Sequence, residues 1–304
     1  FKQKTAYEIM PSLVGSEMCI RDRGERSMGS RIKVGLVGWP VSHSLSPFMH
    51  NEAFKFYNMN WIYELIPVKE EEFDSKIEEI KKEYVGFNVT IPYKKRIIEH
   101  LDKLSEEAEK IGAVNTVKKE NEKFIGYNTD VLGFIEDLKA NDFNVKGKNA
   151  LILGCGGAGN AVLFGLISLG VKKIYLYDIS KERSVSLKDR GISYLKEIEV
   201  IEGSNLKNVI SNIEILVNAT PCGMKEGDLP PINLDYLNKN ISVYDLIYNR
   251  ETELVKKAKS TGVKAVSGWG MLLHQGRIAW EIWTGKKAPK EIMKKALLEK
   301  LGIE

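Results

Sequence analysis

The chain has 304 residues, 43% of them hydrophobic and 28% charged, with a formal net charge of +4; the length suits two domains, and the charge gives no support to nucleic-acid binding. No apolar run is long enough to span a bilayer, which argues against a membrane protein. Cys19, Cys155 and Cys222 form no metal or disulfide spacing, and His43, His50, His100 and His274 contain no HxxxH pair, so no metal site is expected and a reducing, cytoplasmic compartment is indicated.

Residues 1–27 show neither helical nor strand period, nor the parts of a signal peptide. They read as non-native and disordered, with Met28 as the start of the fold. From there strands and helices alternate. A strand is expected over 31–37, broken by Gly38-Trp39-Pro40. Ser46 is a good N-cap, with Pro47 at the first position of a helix over 47–57. A strand over 61–67 and an amphipathic helix over 70–83 follow, with Phe73, Ile77, Ile80 and Tyr84 on one face.

Residues 86–94 organise the rest. Phe87, Val89 and Ile91 alternate with Asn88 and Thr90, a strand period. Pro92 stops pairing, and 93–101 reads as a helix. Asn88, Thr90 and Lys94 therefore meet where a strand's carboxyl end enters the next helix, the place where open α/β sheets bind ligands. A lone lysine there is ordinarily a solvated one, so the remaining chain decides its weight. It continues with a short helix over 105–111, a hairpin of 114–119 with 123–126, and a helix over 130–140. The polar run 144–148 marks a boundary.

A second alternating series starts at 149. Its first strand runs into Gly154-Cys155-Gly156-Gly157-Ala158-Gly159 and then a helix over 158–169. In this pattern Gly154 permits the tight turn, Gly156 lets backbone approach a pyrophosphate, and Gly159 lets helix and strand pack closely. The next strand ends at Asp178, where an acidic residue binds a dinucleotide's ribose hydroxyls and repels a 2′-phosphate. No arginine stands next to it, although Lys181 and Arg183 are near. NAD or NADP is the expected cofactor, with NAD favoured. Signals weaken through 191–212. Strands at 215–218, 243–245 and 264–266, and helices at 251–260, 270–284 and 289–301, complete the chain.

Several runs together resemble the shikimate dehydrogenase family. They are Gly38-Trp39-Pro40-Val41-Ser42-His43-Ser44-Leu45-Ser46-Pro47-Phe48-Met49-His50-Asn51, Asn88-Val89-Thr90-Ile91-Pro92-Tyr93-Lys94, Gly112-Ala113-Val114-Asn115-Thr116, Gly126-Tyr127-Asn128-Thr129-Asp130, Asn218-Ala219-Thr220-Pro221-Cys222-Gly223-Met224 and Met271-Leu272-Leu273-His274-Gln275-Gly276. The resemblance runs from Met28 nearly to the C-terminus, in order. It implies reversible NAD(P)H-dependent reduction of 3-dehydroshikimate to shikimate, in aromatic amino-acid biosynthesis. It implies two α/β domains: an open-sheet substrate domain (28–130 plus 270–304, the C-terminal helices returning to it) and a Rossmann dinucleotide-binding domain (131–269).

The family's catalytic pair falls on Lys94 and Asp130. Its substrate contacts fall on Ser44, Ser46, Thr90, Asn115 and Gln275, with Tyr248 a further candidate. Its cofactor contacts fall on Gly154, Gly156, Gly157, Ala158, Gly159, Asp178, Thr220 and Gly270. The chemistry agrees: hydride transfer to a ketone leaves an alkoxide that needs a proton and a nearby positive charge, which a lysine supplies. The expected partner is a small molecule, neither nucleic acid nor membrane, for a monomer or homodimer. Departures are Val131 and Leu132 where many relatives have glycine, Arg250 where proline is common, and Asp178-Ile179-Ser180 where the NADP version carries Asn-Arg-Thr. That last change makes a NAD-dependent quinate/shikimate dehydrogenase the nearest alternative, although serines at 44 and 46 lean towards shikimate. A non-catalytic NAD-binding regulator would not need Lys94 and Asp130 together. His43 and His50 read as structural, Cys155 and Cys222 as bystanders, and Trp39 as a cleft wall.

Overall fold

Ile32–Gly38 (β1) is apolar and buried on both faces over its last five residues, as a central strand flanked by helices must be. The computed structural model describes residues 30–303, so the reading of residues 1–27 lies outside it. After β1 come Ser46–Phe56 (α1), Trp61–Pro67 (β2), Phe73–Glu83 (α2), Tyr84–Val89 (β3), Lys103–Leu104 (β4), Glu106–Ile111 (α3), Thr116–Glu120 (β5), Lys123–Tyr127 (β6) and Asp130–Ala140 (α4). These strands form one mixed sheet in the order β2-β1-β3-β5-β6-β4. β1 pairs in parallel with β2 and β3, while β5 runs antiparallel to β3 and β6. β2 and β3 lie on opposite sides of β1, so the loops leaving the carboxyl ends of β1 and β3 border one crevice.

Three local expectations differ. The strand ends at Val89, and Ile91 is 66% exposed. Residues 93–101 form a turn and a 3-10 turn, Arg96–His100, rather than an α-helix. Tyr93 and Ile97 are both buried, and the Tyr93 hydroxyl donates to Val68 O at 2.7 Å. The Ile98 N–H bonds Lys95 O and the Leu101 N–H bonds Ile98 O, both at 3.2 Å, the three-residue spacing of a 3-10 turn. Ser46 does not cap α1: Leu45 holds the N-cap position without a side-chain bond, and Ser44 Oγ accepts from the Ser46 N–H at 3.3 Å.

The second sheet is built from Asn149–Leu153 (β7), Gly157–Ser168 (α5), Lys173–Tyr177 (β8), Lys181–Gly191 (α6), Ile198–Val200 (β9), Leu206–Ile210 (α7), Ile215–Asn218 (β10), Ser242–Asp245 (β11), Glu253–Ser260 (α8) and Ala265–Ser267 (β12). All its pairings are parallel, in the order β12-β11-β10-β7-β8-β9. This is the doubly wound order, with its switch point between β7 and β10. β9 and α7 fill the stretch where the sequence signal faded; they are only three and five residues long, too short for periodicity to show.

Trp269–Thr284 (α9) and Lys290–Leu301 (α10) return to the first sheet. Leu273, Ala279, Trp280, Trp283, Met293 and Leu297 share one core with Val34, Met49, Phe54 and Tyr63. Trp283 also donates to Val117 O at 2.9 Å. α9 crosses α4 closely through two glycines. A Cβ on Gly133 would lie 2.8 Å from Gln275 N, and one on Gly270 would lie 1.9 Å from Asp137 Oδ1. Among the described residues no helix is long and apolar enough to cross a membrane.

An ion cluster ties the same two helices. Glu136 accepts from Arg277 at 2.5 Å and faces His274 Nδ1 at 2.9 Å. Burial opposes its charge, yet His274 and Arg277 hold the carboxyl down, from the ordinary 4.5 to about 2. The folded value is depressed, so the stabilisation is complete above pH 4.5 and fades as pH falls towards 2. Glu136→Gln should therefore cost about 2 kcal/mol at neutral pH. Urea melts of both proteins at pH 7 and pH 3 check this: the gap should narrow at the lower pH.

Candidate functional site

The loop after β3 brings Lys94 to the first residue of α4. Lys94 Nζ lies 2.6 Å from Asp130 Oδ2, across 36 positions of sequence. Both side chains are largely covered, at 20% and 11% exposure. Asn115, between α3 and β5, donates from Nδ2 to the other Asp130 oxygen at 2.8 Å and to Thr129 Oγ1 at 2.9 Å. Its Oδ1 accepts the Thr129 backbone N–H at 2.8 Å. Asn128 fixes the same corner, accepting from the Asp130 N–H at 3.1 Å and donating to Ala113 O at 3.0 Å. A buried carboxylate is thus held between an ammonium and an amide, and the backbone of Val114 donates to Lys94 O at 2.7 Å. This arrangement can deliver or take up a proton beside a fixed positive charge.

The other expected substrate residues lie on several different elements. Thr90 follows β3, its backbone N–H bonded to Val37 O at 2.9 Å. Its half-buried hydroxyl has no hydrogen-bond partner among the described residues. Ser46 is buried with its hydroxyl beside that of Tyr63, and Ser44 precedes it on the loop after β1. Gln275 sits on α9 above Gly133, its Nε2 donating to Leu272 O at 2.9 Å. Tyr248 is on the loop after β11, where burial raises its phenol.

The glycine-rich turn sits at the switch point of the second sheet. Gly154 has φ +90°, and a Cβ there would meet Ala219 O at 2.7 Å. A Cβ on Gly159 would lie 2.1 Å from Gly154 O. Gly156 and Gly157 differ: a Cβ on either meets nothing within 4 Å. Their lack of side chains keeps space open rather than relieving a clash. α5 starts there with no side-chain cap and no acidic residue in its first turn, which leaves its N–H groups and dipole available to an anion. These features fit a dinucleotide's pyrophosphate. Ala158 stands in that first turn.

Asp178 accepts from Cys155 N–H at 2.8 Å and from Ser180 N–H at 2.9 Å. Ser180, not Asp178, caps α6. Arg183 Nε approaches the Asp178 carboxylate at 3.5 Å. Two expected cofactor residues have internal occupations. Thr220 donates to Asn218 Oδ1 at 2.7 Å and accepts from Cys222 N–H, shaping the loop after β10. Gly270 is explained by the Asp137 carboxylate against it.

Sequence reasoning missed three supports. Asp245 is fully buried below the β10 loop, accepting from Asn218, Thr252 and Ile247; burial raises its carboxyl. Asp137 accepts from Tyr244 Oη at 2.5 Å, joining α4 to β11. Asn160 in α5 and Arg190 in α6 both donate to Ile111 O, at 2.9 and 2.8 Å. No sequence signal marks these, because each depends on pairing between distant strands and helices.

The profile of the shikimate dehydrogenase substrate binding domain matches residues 36–117, and that of the shikimate 5'-dehydrogenase C-terminal domain matches residues 268–298. Shikimate dehydrogenase (NADP(+)) of Carboxydothermus hydrogenoformans is 39% identical over 277 residues, covering 90% of this chain and 98% of the relative. Shikimate 5-dehydrogenase from Listeria monocytogenes, solved with shikimate and NAD, is 32% identical with a TM-score of 0.81, covering 90% of this chain and 99% of that one. Quinate dehydrogenase from Corynebacterium glutamicum, solved with NAD, is 29% identical with a TM-score of 0.83, covering 88% and 99%.

Proposed function

The chain belongs to the shikimate dehydrogenase family, and from that premise we propose that it interconverts shikimate and 3-dehydroshikimate with NAD(P) in the shikimate pathway. The observation that carries the reading is the Lys94 ammonium on the Asp130 carboxylate at 2.6 Å, at the carboxyl end of β3. When bound, the dinucleotide supplies or accepts the hydride. Lys94 gives a proton to the oxygen that becomes the hydroxyl, or takes it in the reverse direction. Asp130 holds the ammonium in place, and Asn115 fixes Asp130. Ser44 and Ser46 donate to the substrate carboxylate, while Thr90, Gln275 and Tyr248 meet its hydroxyls. A site built to pair each hydroxyl rejects analogues that lack one.

Gly154, Gly156, Gly157, Ala158 and Gly159 would hold the pyrophosphate, Asp178 the ribose, and the loops of Thr220 and Gly270 the nicotinamide end. The substrate domain is residues 28–130 with 270–304, and the cofactor domain 131–269; the shared core of α9, α10 and the first sheet supports this division. Cys155 and Cys222 are both free thiols, which supports a cytoplasmic setting.

Asp178 supports NAD over NADP: an acidic residue at the end of this strand would pair with ribose hydroxyls, and a 2′-phosphate there would meet like charge. Arg183 at 3.5 Å offsets part of that repulsion, so the expected preference in kcat/KM is about tenfold rather than absolute. The same carboxylate, with the likeness to the quinate enzyme, keeps quinate as the second substrate to test. Initial rates with shikimate and quinate, each with NAD and NADP, check both points. Shikimate with NAD should be the best pair; a strong NADP preference, or quinate matching shikimate, contradicts the reading.

A further inference from the structure

The Lys94–Asp130 pair is the end of a longer buried chain. Tyr63, on β2, sends its hydroxyl across the first sheet to Asn88 Oδ1 at 2.8 Å. Asn88 Nδ2 donates to Thr116 Oγ1 at 2.9 Å and to Asn115 O at 3.1 Å. Thr116 Oγ1 donates to Asn115 Oδ1 at 3.1 Å, and Asn115 Nδ2 donates to Asp130 at 2.8 Å. Tyr63, Asn88, Thr116 and Asn115 are all buried.

The direction of the chain is fixed by two backbone groups. Asn115 O can only accept, so Asn88 must turn its amide nitrogen there and its Oδ1 to Tyr63. The Thr129 N–H can only donate, so Asn115 must turn Oδ1 to it and Nδ2 to Asp130. Every hydroxyl and amide between then donates towards the Asp130 carboxylate. At the far end the Ser46 hydroxyl lies beside that of Tyr63. The Tyr63 ring is itself clamped, stacked on His50 at 4.3 Å and 2° and flanked by Trp283.

We propose that Tyr63 and Thr116 are positioning residues for the reaction, holding Asn115 and Asp130 in the one orientation that presents Asp130 to Lys94. The proposal rests on the assignment of Lys94 and Asp130 as the catalytic pair. Burial raises the Tyr63 phenol, so it remains a donor through the neutral range. Loss of its hydroxyl strands Asn88 Oδ1, frees that amide to rotate, and loosens each later link. Tyr63→Phe keeps the stacked ring and removes only the donor.

The test is a double-mutant cycle on shikimate oxidation with NAD. Tyr63→Phe should lower kcat about tenfold, leave the KM for NAD within about twofold, and move the pH profile of kcat. In an Asp130→Asn background the same change should cost less than about twofold, because both act through one carboxylate. Tyr84→Phe, which removes a hydroxyl bonded to Glu64 in the same sheet, should leave kcat and its pH profile unchanged. Should Tyr63→Phe fail to fold, Thr116→Val cuts the same chain and carries the same expectations. An active wild type with normal kcat in the folded variant, or an equal loss in the Asp130→Asn background, overturns the proposal alone. A wild type inactive on shikimate overturns the functional reading and this proposal with it.

Discussion

Replacing Lys94 by alanine is expected to lower kcat for shikimate oxidation by about three orders of magnitude, while the KM for the dinucleotide stays within about twofold. Two losses combine. A positioned proton donor is worth roughly a hundredfold to ten-thousandfold, and a fixed charge beside the developing alkoxide adds to it. The cofactor should not notice, because the glycine-rich turn belongs to the other sheet. Asp130 would keep its Asn115 bond at 2.8 Å but lose the ammonium at 2.6 Å. Steady-state kinetics with varied shikimate and varied NAD separate the two effects. Turnover within tenfold of wild type would remove Lys94 from the proton step.

The second large effect is expected at Gly156. Gly156→Ala should fold normally and lose at least about tenfold in dinucleotide affinity. The backbone there has φ −80°, which alanine adopts, and its Cβ meets no protein atom within 4 Å. The methyl group would occupy the space that α5 leaves for a pyrophosphate. A less flexible unfolded chain should hold the melting temperature level or raise it slightly. Gly159→Ala makes the contrast. Its Cβ would stand 2.1 Å from Gly154 O, so strand and helix must part and the fold itself should weaken. Calorimetric titration with NAD beside thermal melts of both variants checks the pair. Unchanged NAD affinity in Gly156→Ala would show that the open space is not where the phosphates lie.

Much of this is legible in the amino-acid sequence. The glycine run could be assigned because each glycine carries its own steric reason, and the structure assigns the same reasons to Gly154 and Gly159. Lys94 and Asp130 were legible only through family motifs. Nothing local in a strand–turn–lysine run distinguishes a paired lysine from a solvated one, and the carboxylate lies 36 positions away. Tyr63 was illegible for a similar reason. Its strand is second in sequence but lies across β1 from Asn88, so only the sheet order brings the hydroxyl to the site. Ser46 shows the opposite failure. Serine before proline is a strong capping signal, yet here Ser44 accepts the Ser46 N–H and the Ser46 hydroxyl is turned to Tyr63. The helix starts within a residue of the expected position, and of the two tasks expected of Ser46 the capping one is absent.

The reaction proposed for this protein is shikimate oxidation through the Lys94–Asp130 pair. Its most direct test is product stoichiometry: purified protein incubated with shikimate and NAD, with NADH and 3-dehydroshikimate each quantified. The two products are expected in equal amounts with the wild type and neither above background with Lys94→Ala. A wild type that binds NAD but forms no 3-dehydroshikimate would contradict it.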